Sequence, residues 1–195
     1  MEQKYFQLML IAGLFLLQVS LCQSKALVIV DKGKTDAKVL ISAQAGNFER
    51  LAAEDLAVYI EKMTGARPEI INTEQEISKA LTRKDIPLFI IGSLALKENP
   101  QLQKKIDAVK KKNPVLRADA IVIKTDGNRV YLAGSNEESN CSAVAEILRR
   151  WGCRFFMPTE FGQCIPEYSR LVLDEIDFAY GPPFEVRMYW ISWLG

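Results

Sequence analysis

The chain has 195 residues, with 25 Lys and Arg against 24 Asp and Glu and no histidine. That length fits one domain with at most a stub of a second, and 49% apolar with 25% charged residues is ordinary for a globular protein. A net charge of +1 excludes a nucleic-acid footprint and an acidic solvating tail; the lack of histidine excludes Ser–His, Cys–His and His–metal mechanisms.

Residues 1–22 differ from the rest. Lys4 precedes an apolar run over 8–17, and Ser20 and Cys22 put small side chains at the −3 and −1 positions of a cut after Cys22. That order reads as a secretory signal peptide, and the run is short for a bilayer span. A membrane anchor and lipid anchoring at Cys22 are the alternatives. The mature chain is therefore expected to be secreted or periplasmic. It keeps Cys141, Cys153 and Cys164, an odd number without zinc-like spacing. Export permits disulfides, but a domain of this size can bury a core without them. The expectation is buried free thiols.

The segment 25–31 is rich in β-branched residues and reads as a strand; 37–41 reads as a second, after a turn at Gly33. Gly46 and Asn47 open a helix running to Met63. Its apolar residues Phe48, Ala52, Leu56, Tyr59, Ile60 and Met63 recur every three or four positions. Gly65 ends it and Pro68 follows. A short strand over 68–71 leads to Thr73 and Glu76, a capping box for a helix to Arg83. The run 87–91 is an apolar strand ended by Gly92 and Ser93, and 100–112 reads as a helix with a solvated face. Its Lys110, Lys111 and Lys112 read as solubilising surface. Two alternating strands, 119–124 and 129–133, flank the hairpin signal Asp126-Gly127-Asn128. Ser139 or Asn140 caps a helix with the stripe Val144, Ile147, Leu148 and Trp151, stopped by Gly152. A short strand over 153–156, a loop over 158–166, an extended piece over 171–178 and a linker at 181–183 complete the order. Strands interleaved with helices, plus one hairpin, favour a mixed sheet with helices packed on it.

Three features carry candidate chemistry. The turn 134–138 passes from strand to helix, where backbone N–H groups can hold a phosphate. It has one glycine and two carboxylates, so capping is the expected role. Glu160, Glu167, Asp174, Glu175 and Asp177 supply carboxylates for glycoside chemistry by number only, and read as surface charges. Trp151, Phe155, Phe156 and Phe161 form one aromatic group and Phe184, Tyr189, Trp190 and Trp193 another. Such rings can stack on sugars, but core or interdomain packing is expected for the first group. The apolar, strand-like 184–194 would be an exposed edge on its own. The natural protein is therefore expected to continue past Gly195, or this product to be truncated.

Two stretches, LAAEDLAVYIEKMTG at 51–65 followed by Pro68, and AEILRRWGCRFFMP at 145–158 leading to Gly162 and Ile165-Pro166, carry a family likeness. Together they resemble the non-catalytic N-terminal domain that precedes the catalytic barrel of α-glucuronidases and β-N-acetylhexosaminidases. The resemblance covers most of 26–185. It implies a single α+β domain, a mixed sheet with two main helices on one face, resembling the second domain of β-hexosaminidases. It further implies the boundaries 1–22 signal peptide, 23–181 accessory domain, and 182–195 linker and first strand of a (β/α)₈ barrel. The active site of such a barrel lies beyond this chain. The implied partner is that barrel in the same parent chain, with a glycan as a further partner, and neither cofactor nor metal. The segment Pro183-Phe184-Glu185-Val186-Arg187 resembles the approach to the first barrel strand, where an arginine hydrogen-bonds sugar hydroxyls; Arg187 is the matching position. The expectation is a non-catalytic module of a secreted glycoside hydrolase in polysaccharide degradation. The alternatives are a free-standing carbohydrate-binding or interaction domain and a small nucleotide-binding domain.

Overall fold

A computed structural model describes residues 26–157 and 159–184. The leader with Cys22, and Arg187, Tyr189, Trp190 and Trp193, lie outside the described residues.

The elements run β1 Leu27–Asp31, β2 Lys38–Leu40, α1 Asn47–Thr64, β3 Glu69–Ile71, α2 Glu74–Leu81, β4 Leu88–Ile91, α3 Ser93–Glu98 and α4 Gln101–Val109. Then follow β5 Ile121–Asp126, β6 Arg129–Gly134, α5 Ser139–Arg150, β7 Arg154–Phe155, a 3₁₀ turn Glu160–Gly162, β8 Gln163–Cys164, β9 Arg170–Leu173 and β10 Asp177–Tyr180. Six strands form one mixed sheet in the order β10-β5-β6-β4-β2-β3. Strands β6, β4, β2 and β3 run parallel, while β5 is antiparallel to both its neighbours, β6 and β10. The fold is a single α+β domain, as the sequence leads one to expect.

Alternation along the strands assigns the two faces. Val39, Phe89, Ile91, Ile123, Val130 and Leu132 point to one side, where Leu56 and Ile60 of α1 and Val144 and Ile147 of α5 cover them. Leu40, Leu88, Ile90, Val122, Tyr131 and Ala133 point to the other, under α2, α3 and α4. The two long helices thus share one face, as expected. The opposite face carries three shorter helices that the resemblance does not imply. One of them, α3, lies where the sequence reads only a strand end. A strand buried on both faces, such as β4, gains about 1.5–3 kcal/mol from each fully buried large apolar side chain.

Several local expectations shift. The extended piece 171–178 is two strands. β9 pairs with β1 in a separate two-stranded ribbon, whereas β10 adds to the main sheet. The Thr73 hydroxyl donates to the Glu76 carboxylate at 2.6 Å and gives α2 no side-chain bond to its backbone, so the expected capping box does not form. Helix α5 is capped from outside: the Asn136 side-chain oxygen accepts from the Ser139 N–H at 2.9 Å, so neither Ser139 nor Asn140 is the cap. Gly65 has φ +75° and closes α1 by donating its N–H to Glu61, as expected.

All three described cysteines are free, but only Cys153 is fully buried; Cys141 is half-buried and Cys164 exposed. Arg154 pairs with Cys164 across β7–β8. Alternation therefore directs Cys153 and Cys164 to opposite sides of the hairpin. Burial pushes the thiols of Cys141 and Cys153 above their ordinary range.

Trp151 joins the layers. Its indole N–H donates to Val172 O at 2.8 Å in the β1–β9 ribbon, and its ring meets Phe89 edge-on at 6.2 Å. Trp151→Ala is expected to destabilise the fold by about 3–5 kcal/mol in urea unfolding; a change under 1 kcal/mol would mean the ribbon is held by other contacts.

Candidate functional site

In a sheet of this kind, ligands bind beyond the carboxyl ends of parallel strands where successive connections turn to opposite faces. Here that point lies between the neighbours β2 and β4, because the chain after β2 enters α1 on one face and the chain after β4 enters α3 on the other. Carboxylates from within the chain occupy part of this edge, beside an open cleft lined by Ser42, Glu74 and Ser93. Glu49, buried in the first turn of α1, accepts from the Ser93 N–H at 2.6 Å and the Ser93 hydroxyl at 3.1 Å. Gly92 takes φ +65° beneath this carboxylate, and a Cβ there would collide with it. One strand over, Glu137 accepts from the Phe48 N–H at 3.0 Å and packs on Gly46 at the start of α1. The Gly134 N–H donates to the Asn140 side chain at 2.8 Å. The turn 134–138 therefore spends its groups on this chain's own helix starts, and the nucleotide reading loses the anion site on which it rested.

Among the described residues, clefts stay open on each face of the sheet. One, of about 350 Å³, lies against α2 and α3 and is lined by Ser42, Gln44, Glu74, Ser78, Ser93 and Lys97. The other, of about 290 Å³, lies between α5 and the strands β5 and β10, with Asp119, Ser142, Glu146, Arg149 and Tyr180 on its walls. Glu146 accepts from Arg149 at 2.7 and 2.9 Å and from Arg150 at 2.9 Å, and the Arg149 hydrogen bonds hold its carboxyl below the ordinary range. Asp119 accepts from Asn136 at 2.9 Å and pairs with Arg117 at 3.1 Å; Arg117 also pairs with Glu138.

The aromatic group divides. Trp151 is core, but Phe155, Phe156, Met157 and Phe161 are 47%, 74%, 52% and 92% exposed. They sit on or beside the β7–β8 hairpin, so core packing accounts for Trp151 alone. Phe155 meets the half-buried Tyr59 of α1 edge-on at 5.2 Å, and the Lys62 ammonium lies over Tyr59 at 5.1 Å. The two stretches that carry the family likeness thus meet at one place, with an apolar tip left in solvent.

Glu160, Glu167, Asp174, Glu175 and Asp177 are all exposed, as expected of surface charges, and Asp177 pairs with Lys105. Lys110 pairs with Asp107 at 2.6 Å just beyond α4, and Lys111 and Lys112 are exposed. Sequence reasoning missed Glu49, whose only local signal is an acid in a first helical turn, and Tyr180, which shares its strand face with Phe178 two residues earlier.

No family model matches the chain, and no curated protein matches it. Among solved structures it is similar to one described as "Structure of CpGH84D", with 14% identity and a TM-score of 0.40. The match covers 76% of this chain and 21% of that one.

Replacing Glu49 by Ala removes the carboxylate that accepts from the Ser93 N–H and hydroxyl. The expected cost is about 1–3 kcal/mol in thermal or urea unfolding. Equal stability of Glu49→Ala and the parent chain would contradict a structural role for this carboxylate.

Proposed function

We propose that this chain is the non-catalytic N-terminal module of a secreted glycoside hydrolase acting in polysaccharide degradation. The module packs against the catalytic barrel of the same parent chain. The observation that carries this reading is the exposed hairpin. Apolar side chains held in solvent as one group mark an interaction surface, and Phe155, Phe156, Met157 and Phe161 are such a group. They lie within or just beyond the stretch 145–158 that resembles the accessory domain. The Glu49 and Glu137 hydrogen bonds at the sheet edge support the same division of labour, since helix-start donors that could hold an anion are used to fasten the helices. On this reading the leader exports the protein, with lipid anchoring at Cys22 as a variant of that fate. Arg187 reaches sugar hydroxyls from the first barrel strand.

The test compares the 195-residue chain with the complete product of its gene on aryl glucuronides and aryl N-acetylglucosaminides. The chain alone is expected to leave both intact, while the complete product cleaves one. Phe156→Ser with Phe161→Ser should lower the melting temperature of the complete product and leave that of the 195-residue chain unchanged. Hydrolysis by the chain alone, or a complete product without glycosidase activity, would overturn the proposal.

A further inference from the structure

The cleft between α5 and β10 is floored by Tyr180, next to Phe178, which packs against the core. Phe178 and Tyr180 project from the same face of β10 with their rings nearly parallel, 13° apart, and centroids separated by 6.4 Å. Their surroundings differ. The Arg150 guanidinium lies 4.9 Å over the Phe178 ring and covers it. One step along the strand, Tyr180 is 48% exposed and lines the open cleft. One turn back along α5, Glu146 takes the place on the wall that Arg150 holds over Phe178. The walls add the Ser142 hydroxyl, the Arg149 guanidinium and the Asp119 carboxylate.

Charge on the walls is largely balanced before any ligand arrives. Glu146 is paired with Arg149 and Arg150, and Asp119 with Arg117. A free anion or cation therefore gains little here, whereas groups that both donate and accept find partners on every side. A ring with an apolar face and hydroxyls at its edge matches this arrangement: the face lies on Tyr180 and the hydroxyls reach carboxylate, guanidinium and serine. A volume of about 290 Å³ is at the small end of ligand pockets and suits one ring rather than a length of polymer.

We infer that the α5–β10 cleft is a binding site for a single neutral pyranose unit, with Tyr180 as its stacking platform and Glu146, Arg149, Asp119 and Ser142 as hydroxyl partners. The inference rests on the reading of the chain as part of a polysaccharide-degrading enzyme, and places a glycan contact on the accessory module itself. A site of this size binds weakly, with Kd on the order of 1 mM.

The experiment titrates xylotriose, cellotriose and N,N′,N″-triacetylchitotriose into the ¹⁵N-labelled 195-residue chain, with glucuronate as an anionic comparator. The expected result is saturable shifts for at least one neutral sugar at the backbone amides of Ser142, Ala145, Glu146 and Tyr180. Tyr180→Ala should weaken that binding at least about tenfold while Tyr180→Phe retains it, since the platform is the ring and not the hydroxyl. Tyr180 is exposed, so both variants should keep the circular dichroism of the parent chain. The inference is overturned by an absence of shifts with all three neutral sugars, by shifts confined to the β7–β8 hairpin, by unchanged affinity in Tyr180→Ala, or by glucuronate binding tighter than every neutral sugar. None of these outcomes bears on whether the complete gene product hydrolyses aryl glycosides, so the two proposals fail separately.

Discussion

The central strands bury side chains on both faces, and the rest of the structure follows from covering them. Every residue of β4 is buried, with Phe89 and Ile91 on one side and Leu88 and Ile90 on the other. Both sides therefore need helices. The connections between strands supply α1 and α5 to one and α2, α3 and α4 to the other. Where neighbouring connections part between β2 and β4, backbone donors of the helix starts would be left in a gap. Glu49 and Glu137 close it, each reaching from one element to the start of another. Carboxylates are well suited to this, because helix starts carry unpaired N–H groups and a partial positive charge. The same device removes the anion site that this kind of edge often provides.

Away from that edge lie the β7–β8 hairpin and the α5–β10 cleft. The hairpin β7–β8 follows the C-terminal end of α5. The chain leaves β10 opposite Ile121, and Ile121 lies across from Gly134 near the N-terminal end of α5. Twelve residues of helix separate these ends by about 18 Å. The proposed sugar cleft runs along α5 from Ser139 to Arg149, and the proposed partner surface lies on the hairpin beyond the C-terminal end of that helix.

The long elements were legible in the sequence because their patterns are strong. The stripe of α1, the Gly65 stop and the hairpin at Gly127 each have one physical reading, and the structure bears them out. The failures at α3, in the piece 171–178 and in the aromatic group share a cause: the deciding partner is distant in sequence. Helix α3 has six residues and its start is held by Glu49, 44 positions away. The piece 171–178 contains no Gly or Pro to divide it. It is divided because β9 finds β1, while the Ile176 carbonyl accepts from the Thr125 N–H at the edge of β5. Phe155, Phe156 and Phe161 looked no different in sequence from Trp151. Only the contacts of Trp151 with Val172 and Phe89 separate a core ring from exposed ones. Tyr180 had no signal beyond its spacing from Phe178, and the value of that spacing depends on which α5 side chain stands opposite.

The hairpin is proposed as an interaction surface, and the Glu49 and Glu137 hydrogen bonds at the sheet edge are structural. Amide hydrogen exchange on the 195-residue chain and on the complete gene product tests both halves at once. The account predicts that amides of the hairpin, residues 154–164, exchange markedly more slowly in the complete product, while the Ser93 and Phe48 amides are equally protected in the two. Equal exchange of the hairpin in both proteins, or unprotected Ser93 and Phe48 amides in the shorter one, would contradict it.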